Sequence, residues 1–79
     1  MNIFYTSHCP DCFKAKDKLE EAGIEYEEVD ITTHEGYESF KKNFRESYPN
    51  SKLEMPILHG DMPWVGYYEI ELGIKEGEI

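Results

Sequence analysis

The chain has 79 residues with a formal net charge of -9 at pH 7, and 39% of its residues are hydrophobic. This length accommodates one domain over residues 1–79, near the lower size at which a single hydrophobic core suffices without metal ions or several disulfides. The acidic balance argues against a nucleic-acid partner, because phosphate binding requires clustered Lys and Arg. No apolar run reaches the length of a secretion signal or a membrane span, so we expect a monomeric cytoplasmic protein without membrane contact.

The opening segment predicts a strand followed by a helix. Residues 2–5 are mostly β-branched and aromatic, which suits a strand, and residues 6–8 form a polar break. Pro10 suits the first position of a helix because its missing N–H costs nothing there, which makes Cys9 the N-cap. Gly23 is expected to close this helix, since glycine readily adopts the left-handed conformation that follows a helix end.

Both cysteines of the chain lie at the start of this predicted helix, with the spacing C-x-x-C. Free N–H groups and aligned peptide dipoles favour negative charge there, so we expect Cys9 to ionise more readily than free cysteine. Cys12 lies one helical turn further on the same face and is placed to attack a mixed disulfide formed at Cys9. The pattern therefore predicts a redox pair, with Cys9 as the nucleophile and Cys12 as the resolving thiol.

Three neighbours of the cysteines are expected to modulate them. His8, when protonated, would stabilise the Cys9 thiolate, although an exposed loop histidine without a role fits the sequence equally well. Asp11 lies between the cysteines and opposes a second negative charge there. Pro10 fixes the start of the helix.

The middle of the chain predicts a second strand and a second helix. Residues 24–30 alternate in part and follow the first helix, which implies a strand parallel to the first with a right-handed crossover. Thr32 and Glu35 are spaced as a capping box. An aromatic stripe at helical spacing follows and is interpreted as core; it consists of Tyr37, Phe40, Phe44 and Tyr48. Residues 49–51 are expected to end this helix.

The last third predicts a hairpin and a closing helix. Residues 55–58 and 62–65 are the expected strands, joined by a turn over residues 59–61. Gly66 breaks the second strand, and residues 67–76 form a helix with its isoleucines inward, closed by Gly77. The predicted order is β-α-β-α-β-β-α.

These features resemble the glutaredoxin family of the thioredoxin-like superfamily over essentially the whole chain. The resemblance rests on Cys9-Pro10-Asp11-Cys12 after the first strand, on Met55-Pro56 opening the third strand, and on the Gly66 break before the last helix. It implies an α/β thioredoxin-like fold, with a four-stranded mixed sheet, three flanking helices and a cis Met55-Pro56 peptide bond beside the cysteines.

The resemblance also implies a function, which is the reduction of protein disulfides or glutathione mixed disulfides by the Cys9/Cys12 dithiol. Glutathione is the implied co-substrate, and a reductase system is the implied source of electrons. No bound cofactor and no metal are implied. Lys52 would meet the glycyl carboxylate of glutathione. The sequence departs from the family pattern at Thr6, where a basic residue is common, and at Tyr68, where an aspartate is common. The residues implied to line the substrate groove are Tyr5, Thr6, Lys52, Met55, Pro56, Gly66, Tyr67 and Tyr68.

One alternative lies within the same fold. The run Trp64-Val65-Gly66-Tyr67 resembles the Trp-x-Gly-aromatic run of glutaredoxin-like redoxins that serve ribonucleotide reductase and accept electrons from thioredoxin reductase. The Cys-Pro-x-Cys signature is commoner among glutathione-dependent members, which favours glutathione.

Two alternatives come from other classes. Cys9 and Cys12 have the spacing of zinc ligands, and His8, His34 and His59 are candidates for the remaining positions. The sequence has no second ligand pair such as C-x-x-C or H-x-x-x-H, so we expect no zinc site. An iron-sulfur cluster bridged between two chains is a possibility within the family, but the members that bind one more often have serine at the position of Cys12. A purely structural disulfide would close a very short loop and stabilise the chain little.

Overall fold

The computed structural model describes residues 1–6 and 8–79; Ser7, in the predicted polar break, lies outside the described residues. The predicted order of strands and helices is confirmed. The elements are β1 (Asn2–Tyr5), α1 (Pro10–Glu21), β2 (Glu27–Asp30), α2 (His34–Phe40) with a π-helical turn at Lys41–Arg45, β3 (Ile57–His59), β4 (Pro63–Val65) and α3 (Tyr67–Lys75).

The four strands form one mixed sheet in the order β2-β1-β3-β4. β1 and β2 are parallel, with Asn2 opposite Glu27 and Tyr5 opposite Asp30. β3 runs antiparallel to both β1 and β4. The parallel pairing, the hairpin and the α/β thioredoxin-like fold predicted from the sequence are therefore confirmed, and α1 begins just beyond the carboxyl end of a central strand.

The second strand is shorter than predicted, because the end of α1 uses the backbone of Ile24. Gly23 has φ +72°. The Gly23 N–H donates to the Glu20 carbonyl, and the Ile24 N–H donates to the Leu19 carbonyl. These are the two hydrogen bonds of a Schellman motif. β2 therefore begins only at Glu27, and the predicted start at residue 24 was wrong.

The predicted capping box at Thr32 was wrong by one residue. Thr33 is the N-cap of α2, and its hydroxyl accepts the Gly36 N–H at 3.0 Å. The Thr32 hydroxyl instead donates to the Asp30 carboxylate at 2.6 Å. With Thr33 as the N-cap, Glu35 is the second helical residue, whereas a capping box requires it at the third.

The predicted boundaries of the hairpin strands and of the last helix moved by one or two residues, and the second helix ends earlier than predicted. The third strand begins at Ile57 and runs to His59, after Pro56, which has no N–H to donate to a ladder. The fourth strand begins at Pro63, and α3 ends at Lys75. The second helix reaches Arg45, after which the N–H groups of residues 47 and 48 turn back to the Phe44 carbonyl.

The core has two parts, one on each face of the sheet, because alternate residues of a strand point to opposite faces. Ile3 and Leu58 pack beneath α1 and α3 with Ala15, Leu19 and Ile70. Phe4 and Ile57 pack on the other face with Phe40 and Phe44. The rings of Phe4 and Phe40 meet edge to face at 5.3 Å.

The predicted aromatic stripe is core in part. Phe40 and Phe44 are buried, and Tyr48 packs against them. Tyr37 was wrongly assigned to the core, since it is 48% exposed and its ring lies 5.4 Å from the Lys41 ammonium. Among residues 1–6 and 8–79, no helix combines the length and apolar character needed to cross a membrane.

Candidate active site

Cys9 is the N-cap of α1, as predicted, and Pro10 occupies the start of the helix. The backbone of Cys9 is extended, with φ -115° and ψ 106°. This conformation turns the side chain back over the first turn, where Sγ accepts the Cys12 N–H at 3.2 Å. The sulfur therefore lies against the free amides and the positive end of the helix dipole, where negative charge is favoured.

The two thiols are free and differ in their environments. Cys9 is partly exposed, whereas Cys12 is completely buried on the inner face of α1. Burial, assisted by the hydrogen bond to Cys9, raises the pKa of the Cys12 thiol to about 12. The backbone of Thr6 and the charge of Lys16 act in the opposite direction on this pKa. Cys9 is thus the thiol that a substrate can reach first.

The Met55-Pro56 peptide bond is cis, as the resemblance implied, and it lies beside Cys9. The Cys9 thiol donates to the Met55 carbonyl over 3.9 Å. Pro56 is buried, and its carbonyl accepts the N–H of Gly66 at 2.8 Å. Gly66 has φ +87°, which permits the sharp turn from β4 into α3. Through this bond the start of α3 is held next to the cysteines.

A cleft of about 430 Å³ separates the start of α1 from the start of α3. We call it the acidic cleft, because three carboxylates and one ammonium line it; its residues are Asp11, Lys14, Glu54, Tyr67, Tyr68 and Glu71. The Tyr67 hydroxyl donates to Glu71 at 2.9 Å. This bond raises the pKa of Tyr67, and burial and the charges of Glu71, Asp11 and Glu21 raise it further. The formal charge of these lining residues is therefore net negative.

The residues predicted to line the groove are only partly brought together. Tyr67 and Tyr68 line the acidic cleft, and Tyr68 is 83% exposed. Lys52 is exposed, and its ammonium lies 2.8 Å from the Glu54 carboxylate. That hydrogen bond, together with the Glu54 charge, raises the pKa of Lys52. The Tyr5 ring contacts the ammonium of Lys16.

Lys16 was not among the predicted site residues, although the sequence places it with Lys14 and Lys18 on the first helix close to the cysteines. Its side chain is 13% exposed, and its ammonium lies 3.5 Å from the centroid of the Tyr5 ring and 2.8 Å from the Glu28 carboxylate. The signal available in the sequence was its spacing, since residue 16 follows Cys12 by four and shares its helix face. The acidic lining residues Glu54 and Glu71 were missed as well, although Glu54 directly precedes Met55-Pro56.

The three histidines are dispersed. His8 is exposed next to Cys9. His59 packs edge to face against Phe44 at 5.8 Å, at the end of the sheet where β1 begins. His34 is the first residue of α2. Within the part of the chain that the structure describes, no three His, Cys, Asp and Glu residues are grouped to hold a metal ion.

A dithiol at a helix N-terminus, beside a cis-proline in this sheet, defines a thiol-disulfide oxidoreductase of the thioredoxin-like class. The family model for Glutaredoxin matches residues 2–52, more than half of the chain, and the chain belongs to the glutaredoxin family.

The fold also has a solved counterpart. The structure of NrdH-redoxin from Escherichia coli, described in the words "thioredoxin-like activity profile of the glutaredoxin-like protein", is similar with a TM-score of 0.61 and 20% identity. The match covers 86% of this chain and 83% of that chain. At this identity the likeness shows the fold. No curated protein sequence matches significantly.

Proposed function

We propose that the protein reduces protein disulfides in the cytoplasm and is itself reduced by a flavoprotein of the thioredoxin reductase class. The Cys9 thiolate attacks one sulfur of the substrate disulfide, whose other sulfur leaves and takes up a proton. The Cys12 thiolate then attacks Sγ of Cys9 and releases the second substrate thiol. Two electrons and two protons pass to the substrate, and the Cys9–Cys12 disulfide that remains takes two electrons from NADPH through the reductase.

The ion pair between Lys52 and Glu54 is the observation that supports thioredoxin reductase over glutathione as the electron donor. Glutathione has two carboxylates, and charge-assisted hydrogen bonds to lysine or arginine are the usual way to hold such groups. The Lys52 ammonium, which the resemblance assigned to this role, is 2.8 Å from Glu54. Position 6, where a cation is common in the family, is Thr6. Glutathione would therefore have to compete with an internal carboxylate for its main cation.

Two further observations support the same proposal. The NrdH-redoxin of similar fold is described as thioredoxin-like in its activity profile. The run Trp64-Val65-Gly66-Tyr67 resembles that group of redoxins, which extends the proposal to ribonucleotide reductase as one protein whose disulfide is reduced. The Cys-Pro-x-Cys signature favours glutathione, so the test compares both donors.

The experiment follows NADPH consumption during the reduction of a protein disulfide, with either thioredoxin reductase or glutathione plus glutathione reductase as the electron supply. We expect turnover with thioredoxin reductase and its loss in Cys9→Ser. Turnover with glutathione alone would overturn the choice of donor and leave the oxidoreductase assignment intact. Turnover with neither donor, while chemically reduced protein also fails to reduce the substrate, would overturn the function itself.

A further inference from the structure

We infer that the acidic cleft binds a positively charged side chain of the partner, so that the preferred substrates are disulfides flanked by Arg or Lys. This inference rests on the proposed function, because the cleft receives the substrate only if Cys9 is the point of attack. It names the chemical class of the substrate, which the dithiol alone does not specify.

The position of the cleft determines which part of a substrate meets it. Asp11 is the residue between the two cysteines, and Glu54 directly precedes Met55, whose carbonyl is 3.9 Å from Cys9 Sγ. Both residues line the cleft together with the first turns of α3. A disulfide whose sulfur reaches Cys9 therefore places its neighbouring residues over these carboxylates.

The charges of the cleft are only partly compensated from within the protein. Lys14 is the one ammonium in the lining, and its contact with Asp11 is 3.9 Å long between two largely exposed side chains, which is a weak pair. Glu71 accepts a hydrogen bond from Tyr67, a neutral donor. Glu54 is paired with the exposed Lys52 ammonium at 2.8 Å, which leaves Asp11 and Glu71, among the described residues, without a strong cationic partner. A cation from a partner would therefore meet these two carboxylates, whereas an anionic residue would be repelled.

The aromatic rings of the cleft favour the same ligand. The Lys14 ammonium lies 6.0 Å from the centroid of the Tyr67 ring, at the outer limit of a cation–π contact, so a cation of the protein itself holds this ring face only weakly. The ring of Tyr68 lies 6.5 Å from that of Tyr67 and is 83% exposed at the mouth of the cleft. Arginine suits this combination best, because guanidinium pairs with carboxylates through two hydrogen bonds and also stacks on aromatic faces.

The test uses two disulfide-linked peptides that are identical except beside the cysteine, where one carries Arg and the other Glu. Chemically reduced protein is mixed with each peptide in a single turnover, so that no external electron donor enters the result. We expect the second-order rate constant to be at least about fivefold higher for the Arg peptide at low ionic strength, with the ratio shrinking in high salt.

Two variants assign the preference to the cleft. Glu71→Gln and Tyr68→Ala should each lower the ratio of the two rate constants, and Tyr68→Ala removes an exposed ring on which the fold does not depend. Glu46→Gln is the matched control and should keep the wild-type ratio. Glu46 is exposed at the end of the second helix, two residues before Tyr48, whose ring contacts His59 at the far end of the sheet.

Equal rates for the two peptides, or faster reduction of the Glu peptide, would overturn the inference. An equal fall of the ratio in Glu46→Gln and Glu71→Gln would overturn it as well, because the preference would then come from the overall charge of -9. Reduction of neither peptide by wild-type protein would instead mean that the proposed function has failed.

Discussion

The backbone nitrogen of Cys12 lies 3.2 Å from Sγ of Cys9, while the thiol of Cys12 itself is closed off from solvent. The same residue thus stabilises charge on its neighbour through its amide and keeps its own sulfur protonated through burial. This difference supports the proposal that Cys9 attacks the substrate and Cys12 resolves the mixed disulfide.

Alkylation should distinguish the two thiols. At neutral pH we expect iodoacetamide to modify Cys9 at least about a hundredfold faster than Cys12, because Cys12 is buried and burial raises its pKa to about 12. Mass spectrometry of the reduced protein after short exposures locates the adducts, and Cys9→Ser is the control that should remain nearly unmodified. Equal labelling of the two cysteines would contradict the assignment.

The resolving step should accelerate with pH. The raised pKa of Cys12 means that its thiolate is scarce at neutral pH, and below a pKa the ionised fraction grows about tenfold per pH unit. A mixed disulfide prepared on Cys9 should therefore release its thiol faster as pH rises from about 6 to about 8. Rapid mixing from low pH into a series of buffers measures the rate. A rate that is independent of pH over this range would show that ionisation of Cys12 does not limit resolution.

Lys16 should assist the attack of Cys12 on the mixed disulfide at Cys9. Its ammonium is mostly buried one turn beyond Cys12 and lowers the pKa of the Cys12 thiol. We expect Lys16→Met to slow the release from the Cys9 mixed disulfide by about three- to tenfold, and Lys16→Arg to retain most of the rate, because the charge is what acts. Lys18→Met, on the same helix, is the matched control. If Lys18→Met slowed the step as much as Lys16→Met, the position of Lys16 would be unimportant.

Release of Lys52 should improve the use of glutathione. Glu54→Gln removes the carboxylate that holds the Lys52 ammonium at 2.8 Å and also removes one negative charge from the acidic cleft. The KM for glutathione should fall by about three- to tenfold, since an anionic ligand then finds a free cation. Steady-state rates against glutathione concentration measure the change, with Glu46→Gln as the control. An unchanged KM would mean that the ion pair does not govern the choice of donor.

The aromatic core should matter more for stability than its exposed counterpart. Phe44 is completely buried against Phe4, Phe40 and Tyr48, so Phe44→Ala should lower the free energy of unfolding by about 3–5 kcal/mol. Phe13 is 54% exposed, so Phe13→Ala should change it by less than about 0.5 kcal/mol. Urea unfolding provides both values, and a similar loss in the two variants would contradict the burial pattern.

The parts of the fold that depend on local signals were predictable. Pro10 and Cys9 specify the start of α1, and Gly23 and Gly66 mark its end and the start of α3, because each of these residues has a strong conformational preference. Boundaries of helices and strands that depend on hydrogen bonds between neighbouring residues could not be predicted from the sequence. The choice of Thr33 over Thr32 as N-cap, for example, depends on the contact of Thr32 with the Asp30 carboxylate.

At the active site, too, features with a local sequence signal were predictable, whereas those that depend on contacts in the fold were not. The two cysteines and the neighbouring proline were found from spacing and from a resemblance. The pairing of Lys52 with Glu54 and the position of Glu71 beside Tyr67 were not, since they depend on side-chain directions and on how α3 is placed against α1. A sequence reports that charged residues are present, whereas their partners depend on the folded geometry.

Trapping of the first covalent intermediate identifies which cysteine attacks the substrate. Cys12→Ser and Cys9→Ser proteins are each mixed with a disulfide substrate, and mass spectrometry determines the adduct and the residue that carries it. We expect a stable mixed disulfide at Cys9 in Cys12→Ser and almost none in Cys9→Ser, because Cys9 is partly exposed at the helix N-terminus and Cys12 is buried. A stable adduct on Cys12 in Cys9→Ser, with none on Cys9 in Cys12→Ser, would contradict the role of Cys9 as the attacking thiol.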